Sequence, residues 1–150
     1  MFKFRLQAVL EYRQFLEDRK KAELAEKQRI YMEQKRKSEL LRERRYQYHE
    51  AMRRESARDE IDVTMLTFYQ AYIIVIENQT VVQDKRMEDA RLKMVESQKE
   101  LIEAKKQKEV MVKARDRARK KYQYEEGLRN QKLLDDVASI KYTRASRGMD

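Results

Sequence analysis

Proline, cysteine and tryptophan are absent from this 150-residue chain, and glycine occurs only twice. A globular core needs turns, and turns draw on glycine, proline and asparagine. A fold of many short elements is therefore excluded. Without cysteine there is neither a disulfide frame nor a thiolate site, which fits a cytosolic protein. The longest apolar run, Ala71 to Ile76, falls far short of the ~20 residues that cross a bilayer. The opening Met1-Phe2-Lys3-Phe4-Arg5 lacks the uninterrupted apolar stretch of a signal peptide. The expectation is a soluble, cytoplasmic protein with no transmembrane segment.

Catalysis has little to draw on. The single histidine, His49, lies in a charged stretch and reads as a solvated surface residue. Gly127 and Gly148 stand alone, so there is no glycine-rich phosphate loop. Asp135 and Asp136 are adjacent, and neighbours in sequence point apart on a helix. No catalytic residue, cofactor or metal is expected, and the protein reads as non-enzymatic.

What the chain does have is charge and periodicity. Lys, Arg, Asp and Glu make up 42% of it, with a net charge of +9. Disordered chains and long helices share such a composition, and the spacing decides between them. An apolar or small residue recurs at alternating steps of three and four through Ile73, Ile76, Thr80, Gln83, Met87, Ala90, Met94, Ser97, Leu101, Ala104, Lys108, Met111, Arg115, Ala118 and Tyr122. This is a heptad seam. Ala90, Ser97, Ala104 and Ala118 make one half of the row mostly small, while Met87, Met94, Leu101 and Tyr122 make the other mostly large. Small residues let two backbones approach closely, so the partner helix must supply bulk.

That partner is found in the same chain. The helical pattern weakens once, between about Ser56 and Thr64, and Asp62 and Thr64 are N-cap types placed before a strong apolar run. A turn there makes an antiparallel hairpin. The first arm then offers Met52, Tyr48, Arg45, Leu41, Ser38, Gln34, Tyr31, Lys27 and Leu24 to the seam. Pairing about the turn sets Tyr48 against Ile73, Tyr31 against Ala90 and Leu24 against Ser97, so that large residues meet small ones. Before Leu24, the residues Leu16, Val9 and Leu6 lie on a different strip, which predicts a stutter in the supercoil. The fold class is all-α: two long helices in an antiparallel coiled-coil hairpin, with the C-terminal helix overhanging from about residue 119. The chain reads as a single rod over 1–150, with arm one at about 2–56, the turn at about 57–63, arm two at about 64–143, and a frayed tail. It is expected to be a monomer.

Two surface features bear on partners. Residues 19–58 hold 14 Lys/Arg against 7 Asp/Glu, and residues 105–132 hold 11 against 4. Such blocks occur in nucleic-acid binders. The interleaved acids, at spacings that stabilise exposed helices, favour an acidic protein partner, with steering by the net field. After the turn, Met65 to Ile76 is apolar all round, more than a two-helix seam can bury. Part of it must face outward, as at a protein contact, or close the hairpin tip together with Ile61 and Val63.

The opening Phe2-Lys3-Phe4-Arg5-Leu6-Gln7-Ala8-Val9-Leu10-Glu11-Tyr12-Arg13, the stretch Tyr69-Gln70-Ala71-Tyr72-Ile73 after a basic first arm with Tyr46 and Tyr48, and the tail Arg129-Asn130-Gln131-Lys132-Leu133-Leu134-Asp135-Asp136-Val137-Ala138 together resemble the FliJ family of flagellar export proteins. The resemblance covers nearly the whole chain. It implies a soluble component of the flagellar type III export apparatus, acting in flagellum assembly, motility and chemotaxis at the cytoplasmic face of the inner membrane. It implies a stalk-like coiled coil that couples the ring of the export ATPase FliI to the export gate protein FlhA and assists export chaperones and substrate delivery. Carried over by position, a gate-binding face falls on Leu41, Tyr48, Tyr72 and Ile76. An ATPase-binding end falls on Arg5, Arg13, Arg19, Arg117, Lys120 and Lys121. The alternatives are the equivalent stalk of a virulence-type secretion system, or a generic basic coiled-coil scaffold or nucleic-acid binder.

Overall fold

The computed structural model describes residues 2–147, so the expected frayed tail lies partly outside the described residues. Two helices, α1 (Gln7–Ser56) and α2 (Val63–Arg147), pack against each other as an antiparallel hairpin, with no strand among the described residues. The break at residues 57–62 closes through short-range hydrogen bonds. The Ala57 amide donates to the Arg54 carbonyl at 3.2 Å, and the Arg58 amide to that of Glu55 at 3.3 Å. Asp62 then caps α2. Its Oδ1 accepts the amides of Thr64 at 2.9 Å and Met65 at 3.1 Å, satisfying donors that a helix start otherwise leaves open.

The chain divides into two compact units, Glu17–Glu103 and the pair Met1–Leu16 with Ala104–Asp150. In the first unit the seam residues of α2 are all buried or half-buried, from Ile73 to Leu101. Facing them on α1, Ser38 is only 1% exposed, and Leu24, Lys27, Tyr31, Gln34, Leu41, Tyr48 and Met52 are half-buried. Polar groups fix the register. Gln83 Nε2 donates to the Gln34 carbonyl at 3.0 Å and to Gln34 Oε1 at 2.9 Å. Ser38 Oγ donates to Asp84 Oδ1 at 2.5 Å, and Lys20 meets Glu100 at 2.7 Å. A shift of one heptad would leave the buried Ser38 and Gln83 without these partners, at ~1–3 kcal/mol for each. Arg45, read as a seam position, is exposed instead, because a guanidinium gains more from water than from a narrow apolar stripe.

The expected stutter is not there. Leu6 and Val9 are exposed, while Glu17 (3% exposed) and Leu10 are buried. Leu24, Lys20, Glu17, Arg13 and Leu10 thus keep the unbroken step of four and three. A carboxylate at Glu17 masked the pattern; Lys21 reaches it at 2.8 Å, which offsets the cost of placing a charge in the seam.

In the terminal unit, residues 2–4 are non-helical and the Gln7 amide donates to the Phe4 carbonyl at 3.1 Å as α1 begins. Phe2 packs its ring on Tyr122 at 5.7 Å, and Arg13 Nη1 donates to Gln107 Oε1 at 2.6 Å. Pairing therefore reaches Tyr122. Every residue from Gln123 to Arg144 is exposed, a helical overhang without a partner arm.

Two substitutions check this packing. Ile76 is 2% exposed, so Ile76→Asp buries a carboxylate in the seam and is expected to cost about 3–5 kcal/mol; urea unfolding followed by circular dichroism measures it. Gly127 lies in the overhang, and a Cβ added there would meet nothing within 4 Å. Gly127→Ala is expected to stabilise the overhang helix by about 1 kcal/mol, read as slower amide exchange around residue 127 with little change in the melting of the paired region.

Candidate functional site

Each unit carries its own distinctive surface. In the unit Glu17–Glu103 it is an aromatic cluster. Tyr48 of α1 meets Tyr72 of α2 with ring centroids 4.5 Å apart, and Tyr69 lies 6.1 Å from Tyr48. Phe68 stacks on Tyr72 at 5.9 Å. These rings come together because Phe68 and Tyr72 each precede a seam residue, Tyr69 and Ile73, and so line one flank of the pairing. Burial pushes the Tyr48 phenol above its ordinary pKa, with the Tyr72 hydroxyl beside it adding to the rise. Phe68, Tyr72, Val75 and Val82 keep their outer faces in water. Leu41, two turns before Tyr48, lines an open groove with Gln79, Val82 and Arg86.

Of the four residues assigned to a gate-binding face, Leu41, Tyr48 and Tyr72 thus reach one flank. Ile76 does not reach the surface. It lies sealed in the seam beneath, where an apolar run that looked uniform from the sequence divides into buried Ile73 and Ile76 and exposed Ile74 and Val75. Phe68 is an exposed neighbour that the positional carry-over missed. Its signal was its place three residues before Ala71 and four before Tyr72 on a helical face.

In the terminal unit the distinctive property is charge. The segments Met1–Leu16 and Ala104–Asp150 hold 17 Lys/Arg against 8 Asp/Glu, a net of +9, whereas Glu17–Glu103 holds 19 of each. The whole net charge of the chain belongs to the terminal unit. The basic block read at residues 19–58 is balanced within its own unit by Glu17 and Asp18, by the turn acids Asp59, Glu60 and Asp62, and by acids of α2, two of which pair across the arms, Glu100 with Lys20 and Asp84 with Arg42. Of the residues assigned to an ATPase-binding end, Arg5, Arg117, Lys120 and Lys121 are exposed in the terminal unit, and Arg13 is half-buried against Gln107. Arg19 belongs to the other unit, where it pairs with Glu23 at 3.1 Å. An open groove of about 730 Å³ is lined by Phe2, Lys3, Phe4, Gln7, Arg115 and Arg119; of these, periodicity alone singled out only Arg115.

Among the described residues no helix is long and apolar enough to cross a membrane, and no group of three or more His, Cys, Asp or Glu side chains is placed to hold a metal ion. Fold and surfaces together define a helical hairpin whose two units differ in surface chemistry, one carrying an aromatic cluster and the other the net positive charge. The family model described as Flagellar FliJ protein matches residues 2–147, and the chain belongs to that family, whose members are associated with flagellar type III export. No significant match was found among curated proteins or among solved structures.

Asp84 offers a pH test of the polar layer. The Ser38 hydroxyl, and after it the Arg42 guanidinium, hold its carboxyl below the ordinary range against the opposing effect of partial burial. A carboxyl with a depressed folded-state pKa contributes stability that is complete above the unfolded value of about 3.9 and is lost as pH falls through the folded value. Asp84→Asn is therefore expected to be less stable than the parent at pH 7 by about 1 kcal/mol. The difference between the two proteins should shrink as pH falls below the unfolded value, as thermal melts across acidic pH will show.

Proposed function

We propose that this protein is a non-enzymatic, monomeric stalk component of the flagellar export apparatus. It engages the export ATPase FliI through its basic terminal unit and the gate protein FlhA through the aromatic flank of the other unit, and it assists chaperone and substrate delivery at the cytoplasmic face of the inner membrane. The observation that carries this reading is the partition of charge: the terminal unit holds all of the net +9, while the unit with Tyr48, Phe68 and Tyr72 is balanced. A basic surface seeks an acidic collar and accelerates encounter. An aromatic flank binds by desolvation and depends little on salt. Two partners of different chemistry fit such a division better than one polyanion, which would draw on the terminal unit alone. Family membership favours the flagellar apparatus over a virulence-type stalk.

The reading makes opposite demands on two variants. Replacing Arg117, Lys120 and Lys121 with Glu is expected to slow association with the ATPase by about tenfold or more at low salt, with helix content unchanged because Glu and Lys have similar helix propensities. Gate affinity should survive that change. Tyr72→Asp should do the reverse, weakening capture of the gate's cytoplasmic domain while ATPase association keeps its rate. Equal loss of both partners in either variant, or of neither, would remove the proposed division.

A further inference from the structure

Residues 2–4 form a short non-helical strap ahead of α1, within the terminal unit. Phe2 and Phe4 are half-buried while Lys3 between them is exposed, the alternation of an extended segment laid on a surface. The strap crosses to the other arm, since the Phe2 ring rests on Tyr122 of α2 at 5.7 Å. With Gln7, Arg115 and Arg119 it bounds the open groove of about 730 Å³. Arg115 and Arg119 are one turn apart on α2 and so share a helix face. The groove therefore has an apolar wall, made by two phenyl rings, and a cationic one.

Little of the charge on this groove is compensated. Residues 113–121 hold six Lys/Arg and one acid, and residues 2–7 hold two Lys/Arg and no acid. The acids in and beside these segments are already engaged. Glu11 accepts from Gln7 Nε2 at 2.9 Å, Glu109 pairs with Lys113 at 2.8 Å, Asp116 with Arg115 at 3.3 Å and Glu125 with Lys121 at 3.9 Å. Among the described residues Lys3 and Arg119 enter no ion pair.

What such a groove takes follows from its two walls. Cations without partners favour carboxylates, and a guanidinium plane matches a carboxylate in a bidentate pair. Two rings beside them favour an apolar side chain, which releases water from the ring faces on contact. A nucleic-acid strand fits less well. It asks for rings with a free face to stack on and a long track of cations along its phosphates, whereas Phe2 already lies against Tyr122 and both rings are half-buried. We propose that the groove binds an acidic segment of a partner protein, with a carboxylate against Arg119 and Lys3 and a neighbouring apolar side chain against Phe2 and Phe4. The proposal rests on the reading of the terminal unit as the end that meets the ATPase, and deepens it. The net field gathers an acidic collar, and this groove selects the segment that also carries an apolar residue.

The probe is a fluorescein-labelled peptide of about ten residues, Asp and Glu with two central leucines. The same peptide with serine in place of leucine serves as the control. Fluorescence anisotropy with the full chain is expected to show one-to-one binding of the leucine peptide, with the serine peptide at least about fivefold weaker. Lys3→Glu with Arg119→Glu, both at exposed positions, should weaken the leucine peptide by about tenfold or more while helix content stays at the parent level. Lys132→Glu with Lys141→Glu makes the same change of charge in the overhang and should leave binding near that of the parent. Equal binding of the two peptides overturns the proposal, as does an equal loss in the two double variants, since the net field alone then acts. Tighter binding of single-stranded DNA of matched charge, lost with Lys3→Glu and Arg119→Glu, overturns it in favour of a nucleic acid. No ATPase enters the measurement, so failure here overturns the groove alone, and the Arg117, Lys120 and Lys121 variant still decides the ATPase reading.

Discussion

Everything in this molecule depends on two backbones running close together, and small side chains permit it. Ser38 on α1 and Ala90 and Ser97 on α2 are buried, and none of them has the volume to hold the helices apart. On the facing arm Leu24 and Tyr31, which the register sets against Ser97 and Ala90, are half-buried. A seam this narrow stabilises weakly per residue, because two of every seven positions carry the burial. Register therefore needs polar help, from Gln34 with Gln83 and from Ser38 and Arg42 with Asp84. These groups add less to stability than to uniqueness, since each displaced register leaves a buried donor or acceptor unsatisfied.

Charge follows from the same arrangement. The first arm is basic through residues 19–58, and within the unit Glu17–Glu103 it is cancelled by Glu17 and Asp18, by the acidic turn at Asp59, Glu60 and Asp62, and by the acids of the second arm together. Most exposed pairs, such as Lys37 with Glu33 or Arg29 with Glu26, lie within one helix and contribute only a few tenths of a kcal/mol each. The pairs between arms matter more for orientation, because parallel or shifted arms would set like charges side by side. No comparable cancellation occurs in the terminal unit, which keeps its excess of lysine and arginine. That field is available to a partner.

How far the sequence reveals this varies with the physics of each feature. The seam was legible from Ile73 to Tyr122 because a period depends only on spacing, and every one of those residues is buried or half-buried. Asp62 was legible as a cap type before an apolar run. Leu10 and Glu17 were not, since a carboxylate at a core position looks like a break in the pattern until its lysine partner is seen. Ile76 was misjudged for the opposite reason. In the run Ala71 to Ile76 nearly every residue is apolar, so composition no longer marks the buried face. The charge partition escaped because it is a property of the folded units, and the basic block at 19–58 looked like a surface until Glu17, Asp18, the turn acids and those of α2 were counted in the same unit.

A helical hairpin has no interior in which to build a pocket, so its functional capacity lies in its flanks. The seam that joins the arms also divides the surface into residues that precede it and residues that follow it, about 200° apart around the helix. In the unit Glu17–Glu103 the preceding flank carries the rings of Phe68 and Tyr72 beside the seam residue Tyr48. The following flank mixes Ile74, Val81 and Ile102 with Glu77, Asp84 and Arg91. The same heptad that folds the chain thus gathers these rings on one side of the pairing. The residues that hold the arms together, Ile73, Ile76, Gln83 and Ala90, belong to neither flank.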